Sequence, residues 1–146
     1  MARRLLLIAF TAVAVVAAAN ASANCTLAAD AVTGKAASSQ CSACHGFDAD
    51  EPSRLTGPNL HDTYGSPAGG RSDFGRYSEG VIGARASNVI WTDDALFEYI
   101  GNPKAFLNKV NAREVKHSML FQMNDEQKRR EVIAFLKAVK GRPERD

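Results

Sequence analysis

The chain has 146 residues and a mass of 15.7 kDa, with 45% hydrophobic and 23% charged residues, the balance of one globular domain without disordered or collagen-like bias. Eighteen Lys and Arg against sixteen Asp and Glu leave a formal charge of +2, far from the basic excess of a protein that coats nucleic acid. Three cysteines, two of them inside the run Cys41-Ser42-Ala43-Cys44-His45, are too few for a disulfide scaffold.

Ala2-Arg3-Arg4 is a short basic region, Leu5 to Ala19 is interrupted only by Thr11, and Ala21-Ser22-Ala23 offers small residues at a cleavage site. Residues 1–23 therefore read as a secretory signal peptide, because an apolar run of this length falls short of the roughly 20 residues that span a bilayer. Its removal leaves residues 24–146 with 16 basic and 16 acidic side chains. Cys25, second in that mature chain, reads as an exposed free thiol, able to cross-link two molecules in an oxidising compartment.

Thr26 to Gln40 is Ala-rich and predicts a first helix over 27–43 that runs into the cysteine cluster. Residues 46–90 contain Pro52, Pro58, Pro67 and Gly69-Gly70, show no period of 3.6 or 2, and read as one long loop. Thr92 followed by Asp93 and Asp94 is an N-cap with acids in the first turn; Leu96, Phe97, Tyr99 and Ile100 follow before Gly101-Asn102-Pro103 stops the helix. Pro103 opens a short helix over 103–109, and residues 110–124 return to loop. Asn124 as N-cap, Gln127 three residues on, and Val132, Ile133, Phe135, Leu136 and Val139 at helical spacing predict a last helix over 125–140, stopped by Gly141 and Pro143. No segment alternates as a strand does. An all-α domain with loops this long needs something for them to wrap, and a large bound cofactor answers that need.

Cys41-x-x-Cys44-His45 sets two thiols about one helical turn apart, where each can add across a vinyl group of a haem while the adjacent imidazole binds iron. Export to an oxidising compartment suits that chemistry. A thioredoxin-type dithiol needs a strand before the pair, and none precedes Cys41. A structural zinc would have to gather Cys41, Cys44, His45 and His61 without a second cysteine pair. A Cys41–Cys44 disulfide would close only a very short loop and leave His45 unexplained. For the other face of the iron the mature chain offers Met119, Met123, His61 and His117.

The order of motifs resembles that of class I cytochromes c from about Gly34 to Val139. It comprises the cysteine cluster, Thr56-Gly57-Pro58-Asn59-Leu60-His61, Tyr77, Ile90-Trp91, Leu96-x-x-Tyr99, Asn102-Pro103-Lys104, Met119-x-Phe121 and Ile133-Ala134-Phe135-Leu136-Lys137. The resemblance implies the all-α class I cytochrome c fold around one haem c attached to Cys41 and Cys44, with His45 and Met119 as iron ligands. It also implies that the Pro58 carbonyl orients His45, that Tyr77 and Trp91 bond a haem propionate, and that Tyr99 reaches the Met119 sulfur. His117 is the runner-up ligand, Met123 is core filler, and His61 is expected at the surface or near a propionate. Against the family pattern, Ser38 stands where an aromatic of the first helix usually packs, which leaves Gly34 and small residues to meet Phe135. Val81 replaces a common Asn, Val115 to Ser118 replace a Pro-Gly-Thr-Lys run, and Asn108 to Glu114 form an apparent insertion.

Residues 30–99 carry five basic and ten acidic side chains and 104–140 carry nine and four, so charge is segregated along the chain. Lys104, Lys109, Arg113, Lys116 and Lys128 are expected to steer acidic partners towards an exposed haem edge. The function implied is a periplasmic, monomeric one-electron carrier and not an enzyme, without stable membrane insertion. Its partners would be redox proteins such as a quinol-oxidising complex, a terminal oxidase or a periplasmic dehydrogenase. The alternative is a haem enzyme or ligand sensor with an open sixth position.

Overall fold

The computed structural model describes residues 32–140. The expected signal peptide over 1–23, Cys25, the expected start of the first helix at 27 and the Gly141 and Pro143 stop lie outside the described residues. Helix α1 spans 32–37 and tightens into a 3-10 stretch, Ser38–Ala43. It is followed by α2 (Glu79–Ala86), α3 (Asp93–Gly101), α4 (Pro103–Asn111) and α5 (Glu126–Val139). Among the described residues there is no strand beyond an isolated bridge between Pro67 and Ile90, and no helix is long and apolar enough to cross a membrane.

The first helix was expected to stay α-helical through residue 43. Instead the Ser38 hydroxyl donates back to the Gly34 carbonyl at 2.7 Å, a local bond of the kind that competes with the helical ladder. The 3-10 geometry has a functional result, since three residues per turn stack positions i and i+3 on one face. Cys41 and Cys44, the latter at the C-cap, stand in that relation.

Helix α1 crosses α5 where Gly34 lies buried. A methyl group at Gly34 would run into the Glu131 carbonyl and come within 2.8 Å of the Phe135 Cβ, so glycine is required by the close approach of the two helices. The small-residue contact with Phe135 is as expected. The aromatic partner that Ser38 cannot supply comes from Phe47, whose ring lies 5.3 Å from that of Phe135.

Helices α3 and α4 meet at Asn102, which ends one and starts the other; its side chain accepts from the Ala105 amide at 3.0 Å, with Pro103 in the first turn. Thr92 caps α3 as expected, accepting from Ala95 at 3.3 Å. The cap of α5 is Asp125 rather than Asn124, since it is the Asp125 carboxylate that accepts from the Lys128 amide at 3.1 Å. Ile100, Phe106, Leu107, Val132, Ile133 and Leu136 form the heart of the core.

Two segments differ from expectation. Helix α2 lies inside the stretch read as loop, and α4 runs to Asn111 rather than 109, ending on Ala112 in the left-handed region at φ 52°. Both differences have one cause. The Asn111 amide donates to the Gly80 carbonyl at 3.0 Å and to Leu107 at 2.7 Å, while Gly80 leaves room for Val115 and Leu107. The apparent insertion after Leu107 is thus spent on a longer α4 that docks on α2. Packing overrides the low helix propensity of a segment with two glycines.

Candidate functional site

Between α1, α3, α5 and the two long loops lies a cavity of about 600 Å³ with mainly apolar walls, a volume within the usual range for a cofactor. Cys41, Cys44 and His45 lie on its wall together with Pro58, Tyr77, Trp91, Tyr99 and Met119. Every site residue expected from the sequence is therefore brought to one cavity. His61, His117 and Met123 do not line it. Cys41 and Cys44 are not joined in a disulfide.

The loop that follows the cysteine cluster folds back over it. Leu60 donates to the Gly46 carbonyl at 2.8 Å and Arg54 to Gly57 at 3.0 Å. The Thr56 hydroxyl donates to the Cys44 carbonyl at 3.1 Å, and the Arg54 guanidinium donates to the Ser42 carbonyl. This wrap places the Pro58 carbonyl 2.7 Å from His45 Nδ1. A carbonyl can only accept, so Nδ1 carries the proton and Nε2 keeps the lone pair that a metal needs. Burial lowers the His45 pKa most, the Pro58 bond opposes this, and the Arg54 charge adds to the lowering. The neutral, ligating form is favoured. A Cβ at Gly57 would stand 2.5 Å from His45 Cε1 and 2.7 Å from Nδ1, so only glycine admits the ring here.

The far wall is aromatic. The Trp91 ring lies 4.9 Å from Tyr99 and 5.9 Å from Phe106, and Tyr99 lies 5.7 Å from Phe106. Burial alone pushes the Tyr99 phenol up to about 12, so it remains a proton donor at any physiological pH. Tyr77 accepts from the Arg71 amide at 3.2 Å and keeps its own proton to donate. Burial, partly offset by that bond, raises its pKa. Arg71 and Arg76 line the same rim. Sequence reasoning missed both, although their places six and one residues before Tyr77 were a usable signal. It also assigned no role to Asn59, which is fully buried and donates to the carbonyls of Asp48 at 2.8 Å and Glu51 at 2.5 Å while its oxygen accepts from the His61 amide at 2.7 Å. These bonds hold the loop where no helix does.

His61 corrects an expectation. It is 5% exposed rather than a surface residue, and its Nδ1 lies 2.9 Å from an Asp62 carboxylate oxygen. The reason is the Asn59 turn, which draws the His61 backbone inward. Among the described residues no group of three or more His, Cys, Asp or Glu is placed to hold a metal ion, and His61 does not line the cavity with Cys41, Cys44 and His45.

The expected basic rim is largely neutralised by pairing. Lys104 bonds Glu114 at 2.9 Å, Lys109 bonds Glu98 at 2.8 Å, Arg113 bonds Glu79 at 2.7 Å and Lys128 approaches Asp125 at 3.9 Å. Of the five, only Lys116 has no salt bridge among the described residues. The fold sets the acidic first half against the basic second half, so much of the segregation seen along the chain cancels in space. At the mouth of the cavity stand Leu55 and Leu120, 75% and 80% exposed.

The residues present fit a haem: two stacked thiols, a neutral imidazole with a fixed tautomer, and an apolar chamber of cofactor size with cationic and phenolic groups on one rim. No protein-family model matches the chain. Individual proteins do. The chain is 35% identical over 112 residues to cytochrome c2 of Rhodospirillum rubrum, covering 76% of this chain and 98% of the relative. It is 32% identical over 115 residues to cytochrome c-550 of Paracoccus denitrificans, covering 73% and 72%. The crystal structure of cytochrome c2 from Rhodobacter sphaeroides superposes with a TM-score of 0.71 at 31% identity, covering 78% of this chain and 98% of that one. Identity sustained over almost the full length of such relatives, on the same fold, means that the chain belongs to the class I cytochromes c, electron carriers with one haem c, here attached through Cys41 and Cys44.

Proposed function

We propose that His45 and Met119 would be the two protein ligands of the haem iron and that the protein passes single electrons between periplasmic redox partners without transforming a substrate. The observation that carries this reading is the selective placement of Met119: it lies on the cavity wall with His45, whereas Met123, His61 and His117 do not. Met123 is 4% exposed within the core cluster. A bound haem supplies a one-electron couple whose potential is raised by a thioether ligand. The chain's own residues do the rest. Pro58 orients His45, Tyr99 offers a hydroxyl proton towards Met119, and Tyr77 and Trp91, with Arg71 and Arg76, hold the propionates. Leu55 and Leu120 give partners an apolar contact at the cavity mouth.

The ferric, haem-loaded protein at neutral pH tests the ligand set by its far-red sulfur-to-iron charge-transfer band. Met119→Leu abolishes the band, and Met123→Leu retains it at a stability cost below about 1.5 kcal/mol, since the swap conserves volume. A high-spin or bis-histidine spectrum in the unmodified protein would overturn the assignment in favour of an open or differently filled sixth position.

A further inference from the structure

Phe121 packs the segment that carries Met119 against the core, but its hydrogen bonds are made only at its ends. Before it, the Gly80 amide donates to the Lys116 carbonyl at 3.0 Å. After it, the Met123 amide donates to Ile100 at 3.0 Å and the Met123 carbonyl accepts from Arg129 Nη1 at 2.5 Å. Among the described residues no hydrogen bond joins 117–122 to the rest of the chain.

Arg129 is an unusual group for this task. It is 9% exposed on α5, its Nε is buried with no partner, and its nearest carboxylate, on Glu126, lies 3.7 Å away. Its guanidinium carbon lies 4.2 Å from the Phe97 ring centroid. Gly101, at the end of α3, leaves space for it: a Cβ there would stand 3.2 Å from Nη1 and 3.3 Å from Cζ. A buried cation costs free energy unless its surroundings compensate. Here an aromatic face and one charge-assisted bond to the Met loop provide that compensation.

We propose that Arg129 is a positioning residue for the sixth ligand: seated between Phe97 and Gly101, it clamps the carbonyl of Met123 and so sets how often Met119 leaves the iron. The inference rests on Met119 being the ligand. Arg129 does not line the cavity and acts through the backbone four residues after Met119.

Imidazole added to the ferric haem-loaded protein at neutral pH binds iron only when Met119 has left, so its apparent affinity scales with the open population. Losing a charge-assisted bond raises that population about tenfold or more. Arg129→Met is expected to bind imidazole at least about tenfold more tightly and to lose protection from hydrogen exchange at the Met123 amide. Arg129→Lys restores part of the effect. Gly101→Ala, which keeps the arginine and crowds its seat, shifts affinity in the same direction and serves if Arg129→Met does not fold. Lys35→Gln, which removes an exposed cation on α1 away from Phe97 and Glu126, changes neither readout. Unchanged imidazole affinity in both Arg129→Met and Gly101→Ala, with the far-red band intact in the unmodified protein, overturns the clamp alone. Absence of that band in the unmodified protein overturns the ligand assignment and the clamp with it.

Discussion

Replacing Gly57 by alanine perturbs the oriented histidine without changing any residue that is proposed to ligate the iron or that attaches the haem. The added methyl would lie 2.5 Å from His45 Cε1 and 3.0 Å from the Cys44 carbonyl, against a normal contact of about 3.5 Å or more between carbons. Either the ring or the Gly57-Pro58 segment must withdraw by about 1 Å. That is enough to carry the 2.7 Å bond from Nδ1 to the Pro58 carbonyl out of hydrogen-bond range. The bond makes the imidazole a stronger donor and so favours ferric iron; its loss raises the reduction potential. A hydrogen bond of this kind contributes about 1 kcal/mol, and a tenfold change, 1.4 kcal/mol, is 59 mV for one electron, so the rise is on the order of 40 mV. Potentiometric titration of the haem-loaded variant, followed in the visible spectrum, measures it. A variant that takes up haem, retains the far-red band and shows an unchanged potential would refute the claim that Gly57 and Pro58 tune the ligand.

Gly34→Val drives a side chain into the Glu131 carbonyl and Phe135; overpacking of this kind costs about 1–3 kcal/mol, to be read by urea unfolding of the haem-loaded protein, and undiminished stability would mean that α1 does not cross α5 at this point. Asp73, held far below the usual carboxylate range first by the Arg71 side chain and then by the Ser53 amide, stabilises the fold above its unfolded value near 3.9 and loses that contribution as pH falls towards its folded value. Because the pair is 28% and 37% exposed, Asp73→Asn should lower stability at neutral pH by no more than about 1 kcal/mol, with the difference shrinking below about pH 4; a difference independent of pH would assign the effect to packing instead.

Local chemistry was legible wherever the sequence carried it in a short stretch. The cysteine cluster, Thr92 as a cap, the hydrophobic face of α5 and the paired role of Asn102 and Pro103 all depend on residues within one or two helical turns of each other, and each stands in the structure as its spacing implies. Met119 was identified through a resemblance, because nothing local separates it from Met123; the fold separates them, placing one on the cavity wall and the other in the core.

Where the decisive partner lay far along the chain, sequence alone was silent. Helix α2, with glycine at 80 and 83, has poor intrinsic propensity and forms because those glycines let Asn111, Val115 and Leu107 approach. His61 is buried because Asn59 bonds three backbone groups around it. The charge segregation that suggested a steering surface is partly offset by pairs such as Lys109 with Glu98 and Lys137 with Asp93, eleven and forty-four residues apart. The sequence by itself determined the covalent chemistry, the helices with strong caps and the family, since each rests on residue type and short-range spacing. Tertiary structure decided which methionine lines the cavity with His45, which backbone carbonyl Arg129 bonds and which of the expected cations are paired, since each depends on through-space distances that spacing along the chain does not encode.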